Sequence, residues 1–581
     1  MDTYHNSLEK GDFSSKIPIN EIGVTAAPMK DQLQELQAKI RFGVSKVELG
    51  FWGSSKGSEG QPVPGMYGKD QREAIKGLAQ INNVELTTHA SPNIAPISGF
   101  NKEGFDNTVR EQSLNEIRRA IDFAADTAEG GAVVFHTGEF PREAAFAGIN
   151  GERGQFQGYT YTDSEGNKRT ESDEAVIYLA DEKTGKLINA VKKDMPLFFP
   201  ELERNADGTF KINKEDQSFV TSKDSIGSYG EEDVKKKPYS WEDIKKGLNV
   251  ETDEDVAKFI FKQQIEDQKK QLKGNMAYYG GIIRNTLERY GGEDNLDEQN
   301  KKEIQHYRDS ISNSKKQLAE LNYRVENTKS IKEVGEARTS ESMADLGIYA
   351  WKKQKSQKLK KDLYVAPENI FPEQYGAHPD ELLSLVEKSR ERMKQKLVSE
   401  EKMNEQEAKK IADSHIKATF DIGHANIWRK YFQMDPNSKK TKDEQFDEWL
   451  LKKVDKLKNA GVLGHVHVSD NFGYSDEHTD PGQGNVPLQG FLDKIKGSDI
   501  DVVVETASQG DRAFLAGFKE MGHPIYGLSR PSSVDSWDVI ENSFFGRTAP
   551  PYFVVGEYAQ QIATTEMTKN SFSTWSGTPF E

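Results

Sequence analysis

The 581-residue chain contains no cysteine, which excludes disulfides and thiolate metal sites and leaves imidazole and carboxylate as the only strong metal ligands. It has no apolar run long enough to span a membrane. Its opening, MDTYHNSLEKGDFSS, lacks the basic and apolar regions of a secretory signal. A soluble, cytoplasmic protein is the expectation. Positive charge is in deficit: 78 Lys and Arg against 94 Asp and Glu leave a formal net charge of −16. That sign repels phosphate backbones at long range, so a nucleic-acid substrate needs a local basic surface or bound cations.

What the chain does have is alternation. Short apolar runs separated by amphipathic stretches occur at residues 21–26 (EIGVTA), 45–49 (SKVEL), 84–89 (VELTTH) and 132–136 (AVVFH). The pattern then stops and resumes at 362–367 (DLYVAP), 418–422 (ATFDI), 462–468 (VLGHVHV) and 501–505 (DVVVE). Helical periodicity lies between, over 107–128, 378–396, 443–460, 488–496 and 511–521. Four strands before the gap and four after it predict a closed (β/α)₈ barrel, an α/β fold whose buried parallel strands read as Val- and Ile-rich runs.

The barrel halves are expected at 1–138 and 341–522, with an insertion at 139–340 in the loop after strand four and a C-terminal extension at 523–581. Residues 175–192 read as a β-hairpin turning at Lys183–Gly185. Residues 241–328, rich in Lys, Glu and Gln with spaced Leu, Ile and Tyr, read as an antiparallel helical hairpin with the GGED turn at its tip. Such an arm is either a solvated face or a lid that docks a partner or a second copy.

Chemistry concentrates at the predicted strand ends. His89 closes strand three and His136 strand four. Glu368 follows strand five, and Asp421 and His424 follow strand six. His467 lies in strand seven, with Asp476 and His478 just beyond it, and Glu505 ends strand eight. Five of the 11 histidines therefore fall at one rim, where barrel enzymes place their active sites. So many carboxylates in one mouth repel each other unless cations neutralise them, and imidazole with carboxylate suits zinc, manganese or iron. His465, two residues before His467, faces the same side of its strand and reads as a partner orienting a ligand or as a polar core residue. The DPGQG turn at 480–484 is either a plain loop or a place where backbone N–H groups meet an anion.

In this order the residues resemble the endonuclease IV and xylose isomerase-like superfamily. The most specific pieces are Asp476-Glu477-His478 followed by Gly482 and Gly484, and the D-x-x-H of Asp421 and His424. The resemblance implies that His89, His136 and Glu368 bind one metal. Glu368 would bridge to a second, held also by Asp421, His467 and Glu505, and His424, Asp476 and His478 would hold a third. It further implies a phosphodiester hydrolase with two or three zinc ions, manganese being the alternative, that uses a metal-bridged hydroxide, with Glu368 and Glu505 as the catalytic carboxylates. The chain departs from the DNA-repair members in three places, the first being the segment NIFPEQYG after Glu368, which lacks their T-A-G-x-G run. Ala-Ser-Pro-Asn follows His89 where those members carry a bulky Tyr–Leu pair, and Glu477 stands where they carry an Arg.

Two other readings stay open. The same resemblance also implies a sugar isomerase or epimerase, in whose members ligands resembling Glu368, Asp421, His467 and Glu505 hold one metal and the two glutamates shuttle a proton beside a carbonyl. A non-enzymatic scaffold, working through its arm and tail, is the third.

Overall fold

Eight strands pair in parallel, each with the next: β1 (Ile22–Thr25), β2 (Lys46–Gly50), β3 (Glu85–His89), β4 (Gly131–His136), β5 (Leu363–Glu368), β6 (Ala418–Asp421), β7 (Leu463–Val468) and β8 (Asp501–Val504). β8 returns to β1, with Val504 opposite Val24, and the barrel closes. The computed structural model describes residues 17–18, 21–54, 60–148, 155–158, 160–162, 166, 168–170, 176–193, 197–212, 219–222, 226–227, 230–234 and 236–507, all within the unit Ile17–Gly517. The helix expected over 511–521 and the C-terminal extension lie outside these residues.

Each predicted strand is present within a residue or two of its expected ends. The helices are anchored by local chemistry. Asp106 accepts from two N–H groups at the start of Asn107–Thr127, and Ser330 with Glu333 and Thr441 with Glu444 form capping boxes on Ile331–Gln357 and Lys442–Asn459. Two findings differ from expectation. A second helix, Glu405–His415, follows Pro379–Glu400, and it is so charged that its buried face is only Ala408, Ala412 and His415. The helix Ile331–Gln357 also runs unbroken across residue 340 and buries Met343, Leu346 and Ala350, because it is the barrel's own helix between β4 and β5.

Ahead of that helix the excursion from β4 builds a separate core. Val176–Asp181 and Leu187–Lys192 pair antiparallel, and Thr328–Ser330 joins them as a third strand. Leu179, Trp241, Ile244, Val256, Ile260 and Ile265 pack beneath them. The helices Asp253–Tyr290 and Glu298–Asn327 form the expected hairpin. At 38 residues the first is about 57 Å long. Its buried residues all fall between Asp253 and Lys269, so its far half is the more exposed part of the hairpin. No helix among the described residues is long and apolar enough to cross a membrane.

Inside the barrel the stacked side chains are polar. Lys46 pairs with Asp501 near the amino end, Glu48 meets His465 and His467 above it, and His467 meets Glu368 at the mouth. An apolar cluster of Ala132, Val134, Tyr364 and Ala366 lines one side. Strand register makes this column. Glu48 sits opposite Thr87, Thr419 opposite His465, Asp421 opposite His467 and Glu368 opposite His136.

Candidate metal centre

Glu368 is the centre of the mouth. It is fully buried, and four imidazoles surround its carboxylate: His89 Nε2 at 3.1 Å, His136 Nε2 at 3.6 Å, His424 Nδ1 at 3.5 Å and His467 Nδ1 at 2.9 Å. The rings form a continuous chain, with centroids 5.6 Å apart for His467 and His89, 5.1 Å for His89 and His136, 5.8 Å for His136 and His424, and 5.4 Å for His424 and His478. Glu505 Oε2 comes within 3.0 Å of His467 Nδ1, and Asp421 Oδ2 within 4.0 Å of the same atom. Asp476 lies between His424 Nε2, at 3.3 Å, and His478 Nε2, at 2.9 Å. All nine residues singled out in the sequence thus meet around one mouth.

Among the described residues, four sets of ligand atoms are tight enough to share a cation: Glu368, Asp421, His467 and Glu505; His89, Glu368 and His467; His424, Asp476 and His478; and, beneath them, Glu48, His465 and His467, while His136 joins none. Among the described residues, buried polar atoms here lack hydrogen-bond partners, namely His136 Nδ1, Asp421 Oδ2 and His478 Nδ1. An unsatisfied buried polar atom costs on the order of 1–3 kcal/mol, and cation ligation would remove that cost at Asp421 Oδ2, which faces the four-ligand set. The residues fit divalent metal.

The surroundings aim the ligands. Asp421 Oδ1 accepts from His424 N–H and from the Ser469 hydroxyl, which leaves Oδ2 for the centre. Asn369 clamps the Asp421 backbone through both its amide atoms. His424 Nδ1 is 2.8 Å from the Asn369 carbonyl and His89 Nδ1 is 2.6 Å from the Ala90 carbonyl, so each ring donates through Nδ1 and turns Nε2 inward. Gly423 is required by close approach, since a Cβ there would strike Ser469 Oγ.

Burial disfavours every charge in the mouth, and mutual pairing offsets it. Glu368 hydrogen-bonded to His89, and Glu505 and Asp476 facing His478, push both rings up to about 9 against that burial. His424 and His467 are raised well above their usual value by the same carboxylates, again despite burial. The rings in turn hold Glu368, Asp476 and Glu505 low. Burial wins at two groups, keeping His136 down at about 4 and Asp421 up.

Burial also pushes His378, away from the mouth, and His465, beneath it, down to about 4. Their folded values lie below the unfolded value near 6.5, so the unfolded chain takes up the protons first. The stability they contribute is present above pH 6.5 and lost as pH falls toward 4. For the metal-free protein we expect the two to remove on the order of 4 kcal/mol across that window. Above pH 6.5 the raised rings of the mouth act in the opposite sense, so the urea midpoint should fall from pH 6 to pH 4.5, and a flat midpoint over that range would contradict this.

The DPGQG turn has a different job from the anion cradle considered above. Gly482 N–H and Gly484 N–H donate to Asp470 Oδ2 at 2.8 and 2.9 Å, so the turn wraps an internal carboxylate. This fold-back shapes the loop that carries Asp476 and His478, the latter in the left-handed region at φ 46°. A Cβ on Gly484 would strike the Asn471 carbonyl and Asp470 Oδ1. Gly484→Ala is expected to cost about 2 kcal/mol and to loosen cation binding at His478. A thermal melt and a cobalt titration check both effects.

Sequence reasoning missed Glu48. It is 1% exposed, with Oε1 2.9 Å from His467 Nε2 and Oε2 3.3 Å from His465 Nε2. A carboxylate between Val47 and Leu49, on the same strand face as Lys46, was the available signal. His465 therefore contacts Glu48, not a predicted ligand other than His467, whose ring lies 4.9 Å away.

Among curated proteins, the chain is 33% identical over 105 residues to Uncharacterized protein MJ1311 of Methanocaldococcus jannaschii. The match covers 18% of this chain and 29% of that relative's length. Among solved structures, it is similar to a D-tagatose 3-epimerase-like protein at 13% identity and a TM-score of 0.36, covering 86% of this chain and 96% of the other. It is also similar to the D-psicose 3-epimerase of Clostridium cellulolyticum H10 at 9% identity and a TM-score of 0.32, covering 84% of each. Residues 401–520, which carry β6 to β8 and six of the nine side chains gathered at the mouth, match the family described as xylose isomerase-like TIM barrel.

Proposed function

We propose that the chain is a divalent-metal-dependent phosphodiester hydrolase on the endonuclease IV plan. The observation that carries this reading is the enclosure of Glu368 by four imidazoles, one of which, His424, also belongs to a second set with Asp476 and His478. A carboxylate so enclosed has no open side from which to take a proton from a sugar carbon, but it is well placed to be shared between two cations. Glu368, Asp421, His467 and Glu505 would hold one ion, His89 and His136 would hold a second with Glu368, and His424, Asp476 and His478 would hold a third. Bound there, zinc or manganese would activate water near neutral pH and neutralise charge on a phosphoryl group. Glu505, with 27% of its side chain exposed, is the carboxylate placed to accept a proton from an entering water. Ser469 and Asn369 keep Asp421 in place.

The test is incubation of zinc- or manganese-loaded protein with an abasic duplex and with simple aryl phosphodiesters, with bound ions counted. Turnover that disappears in Glu505→Gln supports the hydrolase, and its absence in the loaded wild-type protein counts against it.

The family description favours a second reading, a sugar isomerase or epimerase with one ion on the four-ligand set. Glu477, acidic where the DNA-repair enzymes carry Arg, also favours it, as does the Ala-Ser-Pro-Asn run after His89. One ion per chain with conversion of a ketose would support this reading, and two or three ions support the hydrolase.

A further inference from the structure

We infer that Glu48 is a positioning residue that sets the ring of His467 for cation binding from beneath. The inference rests on the metal-site reading above. His467 is fully buried, and its two nitrogens face different surroundings. Nδ1 looks up at Glu368 Oε1, at 2.9 Å, and at Glu505 Oε2, at 3.0 Å, while Nε2 looks down at Glu48 Oε1, at 2.9 Å. Ionised carboxylates only accept hydrogen bonds, so both nitrogens carry protons in the metal-free ring; an ion held by Glu368, Asp421 and Glu505 would take the place of the proton on Nδ1, while Glu48 keeps the one on Nε2. Glu48 thereby selects the tautomer that the four-ligand set requires.

His89 and His424 have their outer nitrogens on backbone carbonyls. His467 has a full negative charge in that place, which raises the basicity of the ring toward the ion. Glu48 itself is held by the strand register. Thr87, its partner on β3, donates from Oγ1 to Oε2 at 3.3 Å, and His465 Nε2 approaches the same oxygen at 3.3 Å. His465 is braced from behind by Thr419 Oγ1, 3.4 Å from its Nδ1. Glu48, His465 and His467 are also close enough together to hold a cation themselves. An ion there would take Nε2 of His467 and withdraw the ring from Glu368, Asp421 and Glu505, so the two arrangements compete.

The experiment compares wild type, Glu48→Gln, Thr87→Val and His465→Ala by cobalt titration, following the visible absorption of the ion and counting ions at saturation. Metal-free circular dichroism and melting identify any variant that fails to fold, and Thr87→Val carries the test if Glu48→Gln is lost that way. Glu48→Gln is expected to keep the wild-type ion count, to weaken one ion by roughly 10–100-fold and to shift its absorption. Thr87→Val should weaken the same ion less. In zinc-loaded wild type, two-bond ¹H–¹⁵N spectra should show His467 protonated at Nε2. Wild-type affinity and absorption in Glu48→Gln overturn the inference, as does an ion lost from both Glu48→Gln and His465→Ala. A wild-type protein that binds no cation overturns the metal reading itself, a different result from either.

Discussion

Glu368→Gln should reduce metal-dependent turnover by at least about 10³-fold, roughly 4 kcal/mol of transition-state stabilisation, and should empty more than one cation site. No other side chain among the described residues touches four imidazoles. The amide keeps the shape but loses the charge, and it presents an N–H₂ group to ring nitrogens that need an acceptor or an ion. Elemental analysis of the dialysed variant gives the ion count, and an aryl phosphodiester gives the rate. Full ion content with a rate within tenfold of wild type would remove Glu368 from the centre. The metal-free variant offers an independent readout. His89 owes part of its rise to about 9 to Glu368, so its NMR titration should move down. The stability that His89 contributes is complete below pH 6.5 and is lost as pH climbs through its folded value, so in the variant that loss should come at lower pH.

Asp476→Asn should remove one ion and leave the four-ligand set filled, with phosphodiester turnover falling on the order of 10²–10³-fold. Among the described residues Asp476 links His424 to His478. The variant therefore separates the two readings of the mouth. A one-ion sugar enzyme would keep its metal content and lose at most substrate affinity. A hydrolase would lose an ion and rate together. Replacing Asp476 also removes the counter-charge of His424 and His478, so the metal-free variant should titrate both rings lower than wild type.

The barrel was readable because each strand is a short apolar run with turn chemistry around it, and parallel pairing with buried faces is the one arrangement that satisfies eight such runs. The residues at the mouth were readable for a related reason: strand ends are where an imidazole or carboxylate breaks the apolar pattern, as in VVFH, TFDIGH and VVVE. Their registration was not. Nothing local says that Glu368 lies opposite His136 or Asp421 opposite His467. Glu48 escaped notice because a carboxylate inside an apolar strand has the same pattern as a solvent-facing position, and only barrel closure turns that face inward. The DPGQG turn was ambiguous because its N–H groups serve an outside anion or Asp470 equally well, and the choice depends on where β7 ends. The insertion boundary near 340 was misplaced because Ile331–Gln357 is lysine- and serine-rich enough to pass for more of the arm.

Thr137 donates to the Glu368 carbonyl across 231 positions of chain, because the whole excursion is spliced between two strands that lie side by side. Compared with an ordinary connection of about 15 residues, closing a loop of that size costs about 2 kcal/mol more if the loop is slack. A self-folded arm with its own core shortens the effective tether and relieves part of that cost. Assembly should therefore be hierarchical, with the spliced module collapsing first and drawing the amino- and carboxyl-terminal half-barrels into register. Protease nicking at the arm's glycine tip would then sever the polypeptide without parting the halves, since the seam between them is knit by main-chain pairing rather than by the covalent thread.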